Sequence, residues 1–218
     1  MKTIEFENSV PLKKRVLRDE VKNYLLEVIL TGKYRPGDRL VETQIAKELG
    51  VSQAPVREAI RDLEQMGILE TEPYKGTYVR KFSVRDLKNV YDVRAELEGL
   101  AIRTAVKEMG EEEIAALEEV TEQMLACAGD LKKQIPLDIA FHEIIVKASR
   151  NGILEKIWYS VSIPYWTYLG TYYYRYDMAH LVKRHLPILE AIRKRDAGKA
   201  EELMRLHFLE LKDMLEEK

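Results

Sequence analysis

The stretch from Glu42 to Met66 constrains this chain more than any other. Ile45, Ala46 and Leu49 fall on one side of a short helical segment, Gly50-Val51 interrupts it, and Ser52 opens a second helix that runs to about Met66. Serine is a good N-cap, and Pro55 lies in the first turn, where its missing N–H leaves no intrahelical bond unmade. At about 100° per residue, Val56, Ala59, Ile60 and Leu63 cluster on one face of the second helix. Gln53, Arg57 and Arg61 fall on another, with Ala54 beside them. Two helices, a short glycine-containing turn, and a small residue (Ala46) where the helices approach closely together read as a helix-turn-helix.

The flanking segments extend this unit. Residues 1–11 show no helical period and read as a flexible arm. Val21, Leu25, Val28 and Ile29 place an amphipathic helix over 12–30, and Arg35-Pro36-Gly37-Asp38 is a turn. Two β-like runs, Ile68–Glu72 and Thr77–Lys81, flank Pro73-Tyr74-Lys75-Gly76 as a hairpin, with Gly76 suited to a positive φ. Three helices followed by a hairpin make a winged helix-turn-helix over 12–81. The outward face of its second helix suits the major groove of double-stranded DNA, where Gln pairs with adenine and Arg with guanine. Arg57 or Arg61 serves equally well as a phosphate anchor, and Lys75 and Gly76 at the hairpin tip would lie near the backbone or minor groove. Solvated surface arginines, or a winged helix used only for protein contacts, are the competing readings.

The formal net charge of -2 gives no global nucleic-acid signal, but DNA responds to the local field near its phosphates and not to the average. A single cysteine, Cys127, excludes an internal disulfide and fits a reducing compartment. With neither a secretory pattern nor an apolar run of spanning length, the expected location is cytoplasmic, with no membrane partner.

Beyond Ser83 the sequence is helical almost throughout, so the fold class is mainly α. Six helices are expected, near 84–108, 111–128, 136–149, 152–175, 178–194 and 197–216, making an all-α bundle over 82–218. Ser83, Asp177 and Asp196 suit N-caps, Gly110, Gly129 and Gly152 mark breaks, and Pro164 should kink the fourth helix. Of the four histidines, His142 follows Asp138 by four residues and so shares its helix face, while His185 and His207 sit on the last two helices. A carboxylate and three imidazoles from three helices would suit a divalent transition metal such as zinc, nickel or manganese, yet isolated helical histidines are more often structural. Arg94 beside Glu96 and Glu98 reads as a surface ion pair. The aromatic stretch around Tyr165, Trp166 and Tyr168 suits a core or dimer interface and could also wall a small-ligand cavity.

Residues 35–80 resemble the N-terminal domain of the GntR family of bacterial transcription regulators. The resemblance is carried by Arg35-Pro36-Gly37-Asp38-Arg39-Leu40, Glu42-Thr43-Gln44-Ile45-Ala46, Gly50 through Leu63, Gly67-Ile68-Leu69 and Lys75-Gly76. It implies that Thr43, Ser52, Gln53, Ala54, Arg57 and Gly76 contact operator DNA. The family usually has Arg where this chain has Gln53, so its usual operator sequence does not carry over. Residues 84–214 resemble the helical FCD effector domain of the FadR branch, through Tyr91–Glu98, Asp138, Phe141-His142, Asn151, His185 with Ile188-Leu189 and Ala191-Ile192, and Asp196 through His207. That resemblance implies a metal held by Asp138, His142, His185 and His207, and an effector cavity at Arg94, where a guanidinium could clamp a carboxylate. The expected mechanism is a homodimeric regulator, by default a repressor, released by a small organic acid bound to the metal and Arg94; the aromatic character of Tyr165 and Trp166 suits them to the wall of that cavity. The rival reading is a metal-dependent enzyme acting on a small carboxylate, and a third makes the metal purely structural.

Overall fold

The computed structural model describes residues 12–127, 129–161, 166 and 178–215. The expected arm at 1–11, the caps and kinks expected at Asp177 and Pro164, and Tyr165 lie outside the described residues. The chain divides into two compact units, Met1–Lys81 and Phe82–Lys218.

The first unit contains α1 (Leu12–Leu30), β1 (Arg39–Leu40), α2 (Glu42–Leu49), α3 (Gln53–Gln65), β2 (Leu69–Glu72) and β3 (Gly76–Val79). Its core is the one the periodicity marks: Val21, Leu25, Val28 and Ile29 of α1 are buried, as are Ile45, Val56, Ala59, Ile60 and Leu63. Gly50 holds φ at 65°, and this left-handed turn lets Val51 N–H donate to the Ala46 carbonyl at 3.0 Å. The orphaned carbonyls of α2 are thereby satisfied and the chain is redirected into α3. Ser52 stands at the N-cap of α3 with extended backbone, but its side chain makes no capping bond.

The sheet departs from the expected two-stranded hairpin. β1 adds to β3 (Arg39 opposite Tyr78, Leu40 opposite Thr77), giving the antiparallel order β1-β3-β2. Two residues are too short to show an alternating pattern, so only the pairing reveals the strand. At the hairpin tip, Lys75 N–H donates to the Glu72 carbonyl at 3.1 Å, with Pro73 and Tyr74 as the central residues. Gly76 has φ +116°, as its position suggested, but Tyr74 is also left-handed at 65°, where Gly or Asn normally sits after proline.

The second unit is helical: α4 (Val84–Glu108), α5 (Glu111–Ala126), α6 (Leu131–Ala148), α7 (Gly152–Ser160), α8 (Met178–Lys183), α9 (His185–Arg193) and α10 (Ala197–Asp213). Helix α4 packs along α10, and Gly99 is required there, since a Cβ would come within 2.9 Å of Arg205 Cγ. Arg195 closes the end of α4 by donating to the carbonyls of Met109 (2.6 Å) and Val106 (3.2 Å).

Among the described residues this unit has seven helices where six were expected; α7 ends at Ser160 and not near 175, and two further differences involve proline. Helix α6 starts at Leu131, upstream of Pro136, so this proline lies inside the helix. Tertiary packing of a long apolar face overrides the one backbone bond it removes. The segment expected as one helix over 178–194 is divided at Arg184. Pro187 has no N–H for the carbonyl of Lys183, and α8 ends there.

Ser83 caps α4 in a full capping box: its hydroxyl accepts from Asp86 N–H, and Asp86 accepts from Ser83 N–H. Ser83→Ala should lower the unfolding free energy of the helical unit by about 1 kcal/mol. Both tryptophans, Trp158 and Trp166, lie in this unit, so urea unfolding followed by tryptophan fluorescence reads the change directly.

Candidate functional site

Helix α3 divides as its pattern demands. Pro55, Val56, Ala59, Ile60 and Leu63 are buried, while Ser52, Gln53, Ala54, Arg57 and Arg61 form an exposed row. Thr43 on α2 and Lys75 at the hairpin tip are also exposed, and Gly76 is half-buried. Arg57 does not extend freely into solvent. It donates through Nε to Glu42 Oε2 at 3.1 Å, with Nη2 at the same distance from that oxygen. With Arg57 half-exposed, the pair is worth at most about 1 kcal/mol and is easily traded for a phosphate or base edge. Its effect is to hold the guanidinium in one orientation beforehand. Lys75 is paired with Glu72 at 2.7 Å.

In the helical unit, Asp138 and His142 come from α6, His185 from the first position of α9, and His207 from α10. One ligand atom from each lies within 4.8 Å of the others, and the three imidazoles are buried. His185 takes the first position of α9, directly after Arg184, whose backbone stays helical (φ -70°, ψ -16°). His185 Nδ1 lies 3.1 Å from the Val182 carbonyl, which can only accept, so Nδ1 carries the proton. Its Nε2 then faces Asp138 Oδ1 at 3.2 Å. A neutral imidazole would oppose lone pair to lone pair there; a proton or a cation resolves the conflict.

His142 is fixed by a residue that the sequence reading left as a surface neighbour. Glu98 is fully buried, and its Oε2 lies 2.5 Å from His142 Nδ1. Its Oε1 accepts from Arg94 Nε at 2.8 Å and from Trp158 Nε1 at 3.2 Å. Despite that distance neither atom has hydrogen-bond geometry, so this is a close charge contact; a proton on Nδ1 would leave the lone pair of Nε2 for the cluster. His142 Nε2 and His207 Nδ1 are buried and have no hydrogen-bond partner. Buried polar atoms are normally satisfied. Two unmatched imidazole nitrogens beside a third that faces a carboxylate fit a divalent ion with N/O ligands, and the carboxylate–histidine pairing is the usual outer support for one.

Burial alone would raise the Glu98 carboxyl, but Arg94 and then His142 outweigh it and hold it at about 2. Burial likewise opposes ionisation of Asp138, yet the bond to His185, followed by the charges of His142 and Arg94, keeps it well below the usual carboxylate range. His207 is depressed far below an ordinary histidine, first by burial and then by His185 and His142, so it offers a free nitrogen at neutral pH.

Arg94, expected at the effector cavity, is buried; besides its bond to Glu98 it lies 4.2 Å above the Phe208 ring. Its spacing of four from Glu98 was the one available signal that the two form a unit. Trp166 is buried edge-on against Phe82, 4.5 Å between ring centroids.

Because the Glu98 pKa is depressed in the fold, the stability it contributes is complete above its ordinary value of 4.5 and disappears as pH falls from there to about 2. In metal-free protein, Glu98→Gln should flatten the fall in unfolding free energy across that window. Identical slopes for the two proteins in denaturant titrations would contradict the assignment.

Comparison with known proteins identifies the two domains. The model of the bacterial regulatory proteins of the gntR family matches residues 17–79, and the FCD domain model matches residues 89–210. An HTH-type transcriptional regulator of Bacillus subtilis strain 168, YdhC, is 32% identical over 203 residues, covering 89% of this chain and 91% of the relative. A probable D-xylose utilization operon transcriptional repressor of Paenarthrobacter nicotinovorans is 30% identical over 198 residues, covering 90% and 87%. The HTH-type transcriptional repressor RspR of Escherichia coli K12 is 26% identical over 208 residues, covering 91% and 85%. Among solved structures, E. coli McbR/YncC shares the fold with a TM-score of 0.78 at 24% identity, covering 91% of this chain and 96% of that one. The exposed row on α3 therefore sits in a DNA-binding domain of known type, and the chain belongs to the GntR family of bacterial transcription regulators, with an FCD domain as its C-terminal unit.

Proposed function

We propose that this regulator represses transcription as a cytoplasmic homodimer on operator DNA, and that a small organic acid bound beside a divalent transition metal sets its DNA affinity. The observation that carries the regulatory half is the convergence of Asp138, His142, His185 and His207, with imidazole nitrogens buried and unmatched. Zinc, nickel and manganese all accept such a donor set. A bound ion would supply a Lewis-acidic position for a ligand carboxylate. The chain's own part is to fix the tautomer of His142 through Glu98 and that of His185 through the Val182 carbonyl, and to keep the Arg94 guanidinium in place. Trp166, with Tyr165 next to it in sequence, is assigned to the wall of the acid site.

On the DNA side, Gln53 and Arg61 are assigned to base edges or phosphates, with Ser52, Ala54 and Thr43 supporting them and Lys75 and Gly76 at the wing. Two such helices would meet half-sites about one helical turn apart. Two relatives bear the name of repressor, which supports that sign of control. Membership of a family of transcription regulators sets the metal-dependent enzyme aside. Among the described residues no helix is long and apolar enough to cross a membrane. A purely structural metal is the second reading, because the four residues tie α6, α9 and α10 together.

Arg57→Ala should weaken binding to an operator selected in vitro by about 1–3 kcal/mol while lowering stability by no more than the roughly 1 kcal/mol of its pair with Glu42. Unaltered gel-shift affinity would count against the α3 assignment. For the metal, zinc at 100 times its dissociation constant should stabilise the wild type by about 2.7 kcal/mol, and His207→Ala should abolish most of that gain in thermal unfolding. A structural metal alone would show the same gain but no zinc dependence of the response of DNA binding to any acid.

A further inference from the structure

Beside the histidine cluster lies a buried polar atom that no metal ion can satisfy. Arg184 stands at the break between α8 and α9, and its side chain is only 10% exposed. Its Nη2 donates to the His207 carbonyl at 2.6 Å and reaches Glu210 Oε2 at 2.8 Å. Its Nη1 is buried with no hydrogen-bond partner. The Arg184 charge acts on the His207 imidazole, adding to burial and to the neighbouring histidines in lowering its basicity.

The unmatched atoms of this region fall into two chemical kinds. His142 Nε2 and His207 Nδ1 offer lone pairs, which a cation answers. A guanidinium N–H is a donor on a positive group, and only an acceptor oxygen answers it. The charge inventory points the same way. Asp138, Glu98 and the half-exposed Glu210 supply three negative charges, against four from Arg94, Arg184 and a divalent ion. The metal-loaded site would keep an excess of positive charge, which a buried site does not tolerate without a counter-ion. Arg also presents a planar fork suited to carboxylates, and one arm of this fork is already used.

We propose that Arg184 is a second anion anchor of the effector site, and that the effector is a small dicarboxylate bridging the metal ion and the unused Nη1–H of Arg184. This rests on the metal-and-acid reading above. The sequence carries no signal for it: Arg184 precedes His185 in a basic run, Lys183-Arg184, that reads as solvated surface.

The test uses full-length protein loaded with zinc, whose stoichiometry is measured first. Calorimetric titration then compares malonate, succinate and glutarate with propionate, butyrate and valerate, the monoacids of equal carbon number. At least one diacid should bind at least tenfold more tightly than its monoacid. Arg184→Gln should erase that advantage while leaving monoacid affinity and zinc stoichiometry as they are. If Arg184→Gln does not fold, Arg184→Lys decides, because it retains the charge and loses the fork; the advantage should shrink. No diacid advantage in the wild type, or an undiminished one in the variant, overturns the inference. Wild-type protein that takes up no zinc overturns the reading beneath it, whereas zinc uptake without a diacid advantage removes the role of Arg184 alone.

Discussion

A carboxylate with no access to water persists only where donors and positive charge surround it, and the helical unit is organised around one such group. Glu98 is fully buried on α4 and gathers Arg94 from its own helix, His142 from α6 and the Trp158 indole from α7. Removing any partner would leave charge or a donor unmatched in a low-dielectric interior, at a cost of several kcal/mol. The arrangement therefore holds three helices in one relation. It also puts a carboxylate beside one nitrogen of His142 and turns the other toward the cluster. Structure and chemistry are here a single constraint.

The metal-ligand set depends on that frame and on the packing of α9 and α10 beside α6. Pro187 ends α8, Arg184 falls in the break, and His185 begins α9 with its Nδ1 against a carbonyl. Arg184 keeps helical dihedrals, so it and His185 project in different directions as successive helical residues do: His185 joins the cluster and Arg184 reaches α10. The DNA-binding unit works differently. Its reading face is exposed, its rigidity comes from an apolar core, and its electrostatics are shallow surface pairs such as Arg57 with Glu42. One unit is built to present groups to a large polyanion, the other to enclose something small.

Much of this was legible in the chain itself. The periodicity of Val56, Ala59, Ile60 and Leu63 separates the buried face of α3 from Gln53, Arg57 and Arg61, because a helix fixes the angle between successive side chains. The spacing of Asp138 and His142 puts them on one face for the same reason. Gly50, Ser83 and Asp196 mark helix ends through local backbone and capping chemistry. The strand at Arg39–Leu40, the helix carried upstream of Pro136 and the left-handed Tyr74 were not legible, since each is imposed by neighbours distant in the chain or by the turn around it.

Local sequence thus determined the elements whose causes act within a few residues: helical faces, caps, the turn between α2 and α3, and the identity of the donor types. Tertiary structure alone decided that Glu98 is a buried hub and not a surface acid, that four ligand atoms from three helices converge, and that Arg184 retains an unmatched N–H. The reason is physical. Spacing fixes direction along one helix, whereas burial, charge compensation and hydrogen-bond satisfaction are properties of groups that meet only after separate helices have packed.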